Sequence, residues 1–288
     1  MTSAGKWTER ATGHVLAAGA VTALFVPGDR PERFAKAAAA GAGVVIIDLE
    51  DAVAPTNKAA ALAAVVDSLR GGDVRALVRV NPADSATHDA EISVLLGLTA
   101  GEGHGLLGIV LPKADDPQLL AELRARFPGD LALVPLVESA AGLMHAFGLA
   151  CVPGVTRLAF GAIDFALDVD GSGEDRFLDH ARSHLVVASR AAGIAAPLDS
   201  PCVDIQDEGK IAESALLARK FGFGGKLCIH PRQVPTVVAA FVPSEAEVAW
   251  AHSVIGAEGA AVQVDGQMID RPVTDRAKRI LAQAGKEL

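Results

Sequence analysis

Tyrosine is absent from this 288-residue sequence, tryptophan occurs twice, and aromatic residues make up only 4% of the chain. Base-stacking platforms are built from aromatic rings, so there is little material here for one. Positive charge is also scarce. Lys and Arg number 26 against 35 Asp and Glu, a formal net charge of −9, whereas a nucleic-acid surface needs clustered cations. The 3 cysteines, Cys151, Cys202 and Cys228, are odd in number and form no CxxC pair. That argues against a disulfide framework or a Cys-rich zinc site and for a reducing, cytoplasmic setting. No apolar run reaches the ~18 residues of a membrane helix, so no membrane partner is expected. The run Val15–Val26, preceded by Lys6 and Arg10, has the outline of a secretory signal. Its small-residue stretch Ala18-Gly19-Ala20 falls before the run ends, however, and the run leads directly into a segment the rest of the chain needs as a strand.

What is present is apolar and periodic. Half of the residues are hydrophobic, enough to bury a sizeable core at this length. Eight short runs recur: Ala23–Pro27, Val44–Glu50, Ala76–Asn81, Gly108–Pro112, Leu131–Glu138, Arg157–Asp164, Ala195–Pro201 and Lys226–His230. They are near-continuous in Val, Ile and Leu, as strands buried on both faces must be. Their ends lie ~30 residues apart, the length of one βαβ unit. Between them, Pro31–Ala40, Asn57–Leu69, Asp116–Phe127, Asp175–Ala192 and Asp207–Phe221 read as helices, several opened by Pro or an acidic cap. Eight strand–helix units in a row predict an α/β fold, a closed (β/α)8 TIM barrel with a C-terminal helical extension; a doubly wound open sheet is the runner-up. The expected organisation is a tail over 1–21, a catalytic barrel over 22–242, and an extension over 243–288. In the extension, Ser244-Glu245-Ala246-Glu247 is a capping-box pattern. A short strand over Ala261–Val264 and a helix from about Val273 to Ala284 follow.

In a parallel barrel, chemistry sits at the carboxyl ends of the strands. The runs end in Asp48-Leu49-Glu50-Asp51, Arg79-Val80-Asn81, Pro112-Lys113, Glu138-Ser139, Asp164 and His230. Carboxylates gathered on one rim repel one another unless a positive charge sits among them. An all-oxygen set without cysteine suits a hard divalent cation, Mg2+ or Mn2+, and Glu138 with Asp164 is the expected pair. The competing reading is that acids at strand ends merely cap the following helices. Arg79 lies inside an apolar stretch and must be paired. It presents its fork either to a substrate carboxylate or to Glu50 or Asp51 as a structural partner. Lys113 as a Schiff-base lysine is disfavoured, because neighbouring acids hold an amine protonated. His230 reads as structural. Gly103–Gly108 fits GxGxxG but precedes a strand, so the dinucleotide reading fails its context. His180 and His184 are spaced as a surface pair.

Taken together, Leu24-Phe25-Val26-Pro27-Gly28-Asp29-Arg30, Ile47-Asp48-Leu49-Glu50-Asp51-Ala52-Val53, Val78-Arg79-Val80-Asn81, Leu111-Pro112-Lys113 and Leu136-Val137-Glu138-Ser139 resemble the HpcH/HpaI aldolase and citrate lyase beta-subunit family. So do Gly161-Ala162-Ile163-Asp164, Gly225–Pro231 and Gly266-Gln267-Met268-Ile269-Asp270-Arg271-Pro272, and all run in the family's order. The last element favours the branch acting on CoA thioesters. The resemblance implies Mg2+ held by Glu138 and Asp164, with Glu138 and Arg79 also meeting substrate. It implies Arg79 and Asp270 as catalytic groups, with Asp48, Glu50, Asp51 and Lys113 supporting them. The implied reaction is cleavage, or formation, of a 3-hydroxyacyl-CoA such as citramalyl-, malyl- or citryl-CoA, giving acetyl-CoA and a 2-oxo acid. CoA enters as part of the substrate, and the implied assembly is a homotrimer in which Asp270 reaches a neighbour's site. The chain departs from the family pattern where Lys58-Ala59-Ala60-Ala61 is followed by Leu62 and where Ile163 precedes Asp164. Two alternatives stay open, an acyl-CoA thioesterase on malyl-CoA-type substrates and a non-catalytic subunit that binds CoA esters.

Overall fold

The computed structural model describes residues 11–101, 103–256, 263–264 and 267–285. The stretches 1–10, 257–262 and 286–288, with Glu102, Asp265 and Gly266, lie outside the described residues. The expected tail, the first half of the Ala261–Val264 strand and the first glycine of the Gly266–Pro272 element therefore fall wholly or partly outside them.

Eight parallel strands close into a barrel in sequence order. They are β1 (Thr22–Pro27), β2 (Val44–Asp48), β3 (Ala76–Arg79), β4 (Leu106–Leu111), β5 (Ala132–Val137), β6 (Arg157–Phe160), β7 (Ala195–Asp199) and β8 (Gly225–Cys228). The fold is a (β/α)8 barrel. Helices α1 (Gly13–Gly19), α2 (Phe34–Ala38), α3 (Lys58–Arg70), α4 (His88–Thr99), α5 (Pro117–Arg126), α6 (Ala140–Met144), α7 (Ala146–Ala150), α8 (Ala162–Asp168), α9 (Asp175–Ala192), α10 (Glu208–Phe221) and α11 (Gln233–Phe241) precede and alternate with the strands. Short 3-10 turns over Pro31–Arg33 and Pro55–Asn57 lead into α2 and α3.

The interior follows the two-residue alternation of a strand. Ala23, Val44, Ile46, Leu77, Leu107, Val110, Ala132, Val134, Leu136, Ala159, Leu198 and Leu227 form one buried cluster. Ala17 and Ala20 belong to the same cluster, so α1, counted with the tail on sequence grounds, packs into the barrel core. Arg157, 1% exposed, fastens it there: its Nη1 donates to the carbonyls of Ala17 and Ala20 at 3.0 and 2.7 Å. Burial pushes the Arg157 guanidinium down to about 10. Gly108 sits at φ +151, where a Cβ would meet the Ala132 backbone at 2.1 Å. That close approach accompanies the register shift between β3 and β4.

Two strand ends differ from expectation. The second run was expected to reach Glu50, but β2 stops at Asp48, where the Asp48 side chain takes over the backbone donors of Glu50 and Ala52 at 2.9 and 3.1 Å. The sixth run was expected to end on Asp164, but β6 stops at Phe160. The Gly161 carbonyl accepts from Phe165 N–H at 2.9 Å, which starts α8 and places Asp164 in its first turn.

The chain divides into two compact units between Val237 and Val238. In the second unit, α12 (Glu245–Gly256) and α13 (Arg271–Gln283) share a core of Ala251, Val254, Ala277, Ile280 and Leu281. The strands β9 (Gln263–Val264) and β10 (Gln267–Met268) pair antiparallel. The Ser244/Glu247 capping box forms, with Ser244 N–H donating to Glu247 at 2.8 Å and Glu247 N–H to Ser244 at 3.2 Å.

Candidate active site

The same alternation that fills the barrel aims the next residue of seven of the eight strands at its mouth. Two positions beyond Ala23, Ile46, Leu77, Leu136, Ala159, Leu198 and Leu227 come Phe25, Asp48, Arg79, Glu138, Gly161, Ser200 and Ile229. All seven line one cavity of about 380 Å³ at the carboxyl ends of the strands, together with Asp51 and Asp164. Of the predicted residues, Asp48, Asp51, Arg79, Glu138 and Asp164 therefore meet at one place.

Arg79 is the hub. Its Nε and Nη2 donate to the two oxygens of Asp48 at 2.7 and 2.6 Å, a bidentate fork. Its Nη1 lies 2.8 Å from Glu50 Oε2 and 3.8 Å from Asp51, and the guanidinium stacks 4.8 Å above the Phe25 ring. The structural pairing expected with Glu50 or Asp51 is present, but the best geometry goes to Asp48. Burial alone would lower the Arg79 pKa. The hydrogen bonds to Asp48 and the negative charges of Asp48, Glu50 and Asp51 outweigh burial and hold it raised.

The carboxyls opposite are under strain. Glu138 is 3% exposed. Burial pushes it up to about 8; Glu50 and Asp164 add to the rise, and the Lys113 N–H, donating to Oε1 at 2.7 Å, and Arg79 oppose it. Glu50 is pushed up to about 7, by burial first, with Asp51 and Asp48 adding and Arg79 opposing. Despite its approach to Arg79, Glu50 Oε2 is buried without the alignment of a hydrogen bond. Lys113 contributes through its backbone: it adopts φ +48, a costly conformation for a residue with a Cβ. Gly161 is needed where it is, since a Cβ would fall 2.6 Å from Glu138 Oε2.

Sequence reasoning missed the residues that hold these groups. Ser200 Oγ donates to the Phe160 carbonyl at 2.7 Å and accepts from Ala162 N–H at 2.5 Å, pinning the turn that carries Asp164. Lys58 Nζ donates to the carbonyls of Leu49 and Glu50 at 2.9 Å and to Asn81 Oδ1 at 2.5 Å. Asn81 in turn donates to Glu91, and its carbonyl meets His88 Nδ1 at 2.8 Å. Phe25 and Ser200 were legible by phase alone, two residues beyond an inward core position; the Lys58–Asn81–Glu91 network left no such signal. His230 is half-buried in the turn after β8 and is not part of the cavity lining. Asp270 belongs to the second unit. It is exposed, and its Oδ1 accepts from Val273 N–H at 3.2 Å as the cap of α13.

The sequence and the fold have counterparts among known proteins. Residues 22–231 match the HpcH/HpaI aldolase/citrate lyase family. The chain belongs to that family. A citrate lyase subunit beta-like protein of Mycobacterium tuberculosis is 37% identical over 273 residues, covering 91% of this chain and 95% of the relative. An L-malyl-CoA/beta-methylmalyl-CoA lyase of Cereibacter sphaeroides is 32% identical, covering 91% and 93%. A crystal structure of the M. tuberculosis CitE protein with magnesium, acetoacetate and coenzyme A matches with a TM-score of 0.82 and 36% identity, over 94% of this chain and 100% of that one. The relatives of this HpcH/HpaI member carry the names of lyases, and the chain is an enzyme of the carbon–carbon lyase class.

Proposed function

We infer that the protein is a divalent-metal-dependent lyase that splits a 3-hydroxyacyl-CoA of the malyl, citramalyl or citryl type into acetyl-CoA and a 2-oxo acid, or joins the two. The observation that carries this reading is the surplus of buried carboxylate around one guanidinium at the barrel mouth. Burial holds Glu50 and Glu138 far above the ordinary carboxylate range, and Glu50 Oε2, though paired in charge with Arg79 at 2.8 Å, accepts no aligned hydrogen bond. A cation entering there relieves both. Among the described residues no group of three or more His, Cys, Asp or Glu is placed to hold a metal. Glu138 and Asp164, which both line the cavity, would be the protein's ligands, with water and substrate oxygens completing a hard shell for Mg2+ or Mn2+. Bound there, the cation supplies Lewis acidity toward the substrate's hydroxyl and carboxylate oxygens.

The remaining work belongs to the chain's own side chains. In the cleavage direction the hydroxyl proton passes to a base at the barrel mouth, a carboxylate or a water molecule, and the bond between the hydroxyl-bearing carbon and the thioester methylene breaks. The electron pair passes to the thioester enolate, and the methylene gains a proton. Arg79 balances negative charge on the substrate carboxylate or the enolate oxygen. Asp48, Glu50 and Asp51 hold the guanidinium in place, and the Lys113 N–H orients Glu138. Asp270 of a neighbouring subunit exchanges the proton at the acetyl carbon. This role asks for a homotrimer in which residues 243–288 act as lid and contact; the site of action would be the cytoplasm. Chelator-treated protein should be inactive and regain activity with Mg2+. Glu138→Gln and Asp164→Asn should each abolish that recovery while binding of coenzyme A survives. Near-wild-type turnover in either variant after Mg2+ is restored would refute the ligand assignment.

A further inference from the structure

Behind the barrel mouth, the turn that carries acids to Arg79 is fastened by one ammonium group. Lys58 is half-buried and is not part of the cavity lining. Its Nζ donates to three oxygens, the carbonyls of Leu49 and Glu50 at 2.9 Å and Asn81 Oδ1 at 2.5 Å, which uses the whole donor capacity of a lysine. All three are neutral amide oxygens, so none of these contacts is an ion pair. Asn81 completes the arrangement. Its Nδ2 donates to the Leu49 carbonyl at 3.0 Å and to Glu91 Oε1 at 2.5 Å, and its backbone N–H donates to Glu91 Oε2 at 2.8 Å. Glu91 is buried, so the Asn81 amide is a dipole set between a cation and an anion, and bonds in such a chain strengthen one another. The place suits a cation poorly on local grounds. Lys58 is the first residue of α3, whose first turn holds no acid, and a helix N-terminus disfavours positive charge. A residue set against its local preference marks a position that serves something other than the helix.

The two carbonyls belong to the turn Leu49-Glu50-Asp51, which follows β2. The side chains of the same turn face Arg79, with Glu50 Oε2 at 2.8 Å and Asp51 at 3.8 Å from its Nη1. The Leu49 N–H also donates to the Arg79 carbonyl at 2.9 Å. Any shift of the turn therefore shifts the partners of the guanidinium. Resting on the lyase reading above, we propose that Lys58 is a positioning residue for the reaction. It holds the turn at two consecutive carbonyls, so that Arg79 keeps the orientation in which it meets substrate charge. Lys58 touches neither substrate nor reacting atoms and acts only through Arg79 and its acids.

The test measures kcat and KM separately in the Mg2+-loaded full-length enzyme. Lys58→Met keeps the aliphatic stem and relieves α3 of a misplaced charge, so the fold should survive. Lys58→Arg keeps the charge but offers a planar fork in place of three divergent donors. In Lys58→Met kcat should fall about 100-fold, the scale of a small misplacement at a catalytic group, with KM within about threefold of wild type. Lys58→Arg should lose at least about tenfold in kcat. Lys58→Cys should be as poor as Lys58→Met. Alkylating it with 2-bromoethylamine rebuilds an ammonium at nearly lysine length and should return at least about a third of the kcat of wild type treated alongside, which controls for Cys151 and Cys202. In an Arg79→Lys background, Lys58→Met should cost no more than about threefold further, because residues acting as one unit do not add. Hydrogen exchange of the metal-free protein reads the turn without any activity. The amides of Leu49, Glu50, Ala52 and Val53 are all hydrogen-bonded, and they should exchange at least about tenfold faster in Lys58→Met. A Lys58→Met kcat within about threefold of wild type, even with a lowered Tm, would overturn the proposal and leave the lyase reading intact. So would unchanged exchange over 49–53, or fully additive losses with Arg79→Lys. Wild-type protein that breaks no carbon–carbon bond would remove the lyase reading, and exchange alone would then decide whether Lys58 holds the turn.

Discussion

Raising the pH of the metal-free protein from 5 to 9 should cost it stability, and adding Mg2+ should return it. The reasoning runs opposite to the usual carboxylate case. Glu138 and Glu50 are pushed up in the folded chain, to about 8 and about 7 from 4.5. Between 4.5 and those values the folded state holds protons that the unfolded state has released, so stability falls as pH rises through this window and levels off above it. One pKa unit corresponds to ~1.4 kcal/mol, so the Glu138 shift alone sets a ceiling of ~5 kcal/mol. Glu50 is itself one cause of the Glu138 shift, so the two contributions overlap, and a loss of about 3 kcal/mol across the window is expected. At this chain length that lowers Tm by roughly 5–10 °C. The assay is a thermal melt series in chelator at constant ionic strength, repeated with Mg2+. Glu138→Gln keeps an oxygen for the Lys113 N–H but cannot ionise, so it should remove at least about half of the fall. It should also remove most of the Mg2+-dependent rise at pH 8.5. A chelated wild-type Tm that is flat or climbs from pH 6 to 8.5 would refute the reasoning, as would a Glu138→Gln series parallel to wild type.

Arg79→Lys should lose at least ~2 kcal/mol of transition-state stabilisation, because a point charge cannot reproduce the fork on Asp48 or the approach to Glu50; kcat/KM within threefold of wild type would leave Arg79 with a structural role only. Gly161→Ala places a methyl group against the Glu138 carboxylate, and should weaken Mg2+-dependent turnover at least about tenfold with a loss of only ~1–3 kcal/mol in stability; unaltered Mg2+ dependence would show that this approach carries no function. Asp270→Ala should be inactive, yet mixing it with dead Glu138→Ala and letting subunits exchange should restore activity in about a quarter of sites if the aspartate acts across subunits. Proven mixed oligomers without recovery would place each complete site within one chain, and an active Asp270→Ala would remove the residue from the mechanism.

The barrel could be read from the sequence because strands buried on both faces leave near-continuous runs of Val, Ile and Leu, as in Val44–Asp48 and Leu106–Leu111. Helix α9 was legible to the residue, since its amphipathic face is strong and Gly193 ends it in the left-handed conformation. Helix α4 was not: its buried face mixes His88 and Glu91 with Ile92, Leu95 and Leu98, which dilutes the apolar period. The end of β6 was missed because Ala162 and Ile163 prolong the apolar run after the backbone has already turned into α8. At the site, the strand-end acids and Arg79 were visible because charge inside an apolar run is conspicuous. Asp48 as the principal partner of Arg79, and the Lys58–Asn81–Glu91 network behind it, depend on contacts between residues far apart in sequence. No local pattern encodes those contacts.

The measurement that bears most directly on the central claim is product identification. Purified full-length protein would be incubated with Mg2+ and a panel of 3-hydroxyacyl-CoA esters, and every CoA-containing and acid product weighed by mass spectrometry. The account predicts acetyl-CoA and an oxo acid in equal amounts, both abolished by chelator and by Glu138→Gln. Free coenzyme A appearing with an intact hydroxy acid would contradict it, because hydrolysis of the thioester would then be the reaction and the carbon–carbon bond would never have broken.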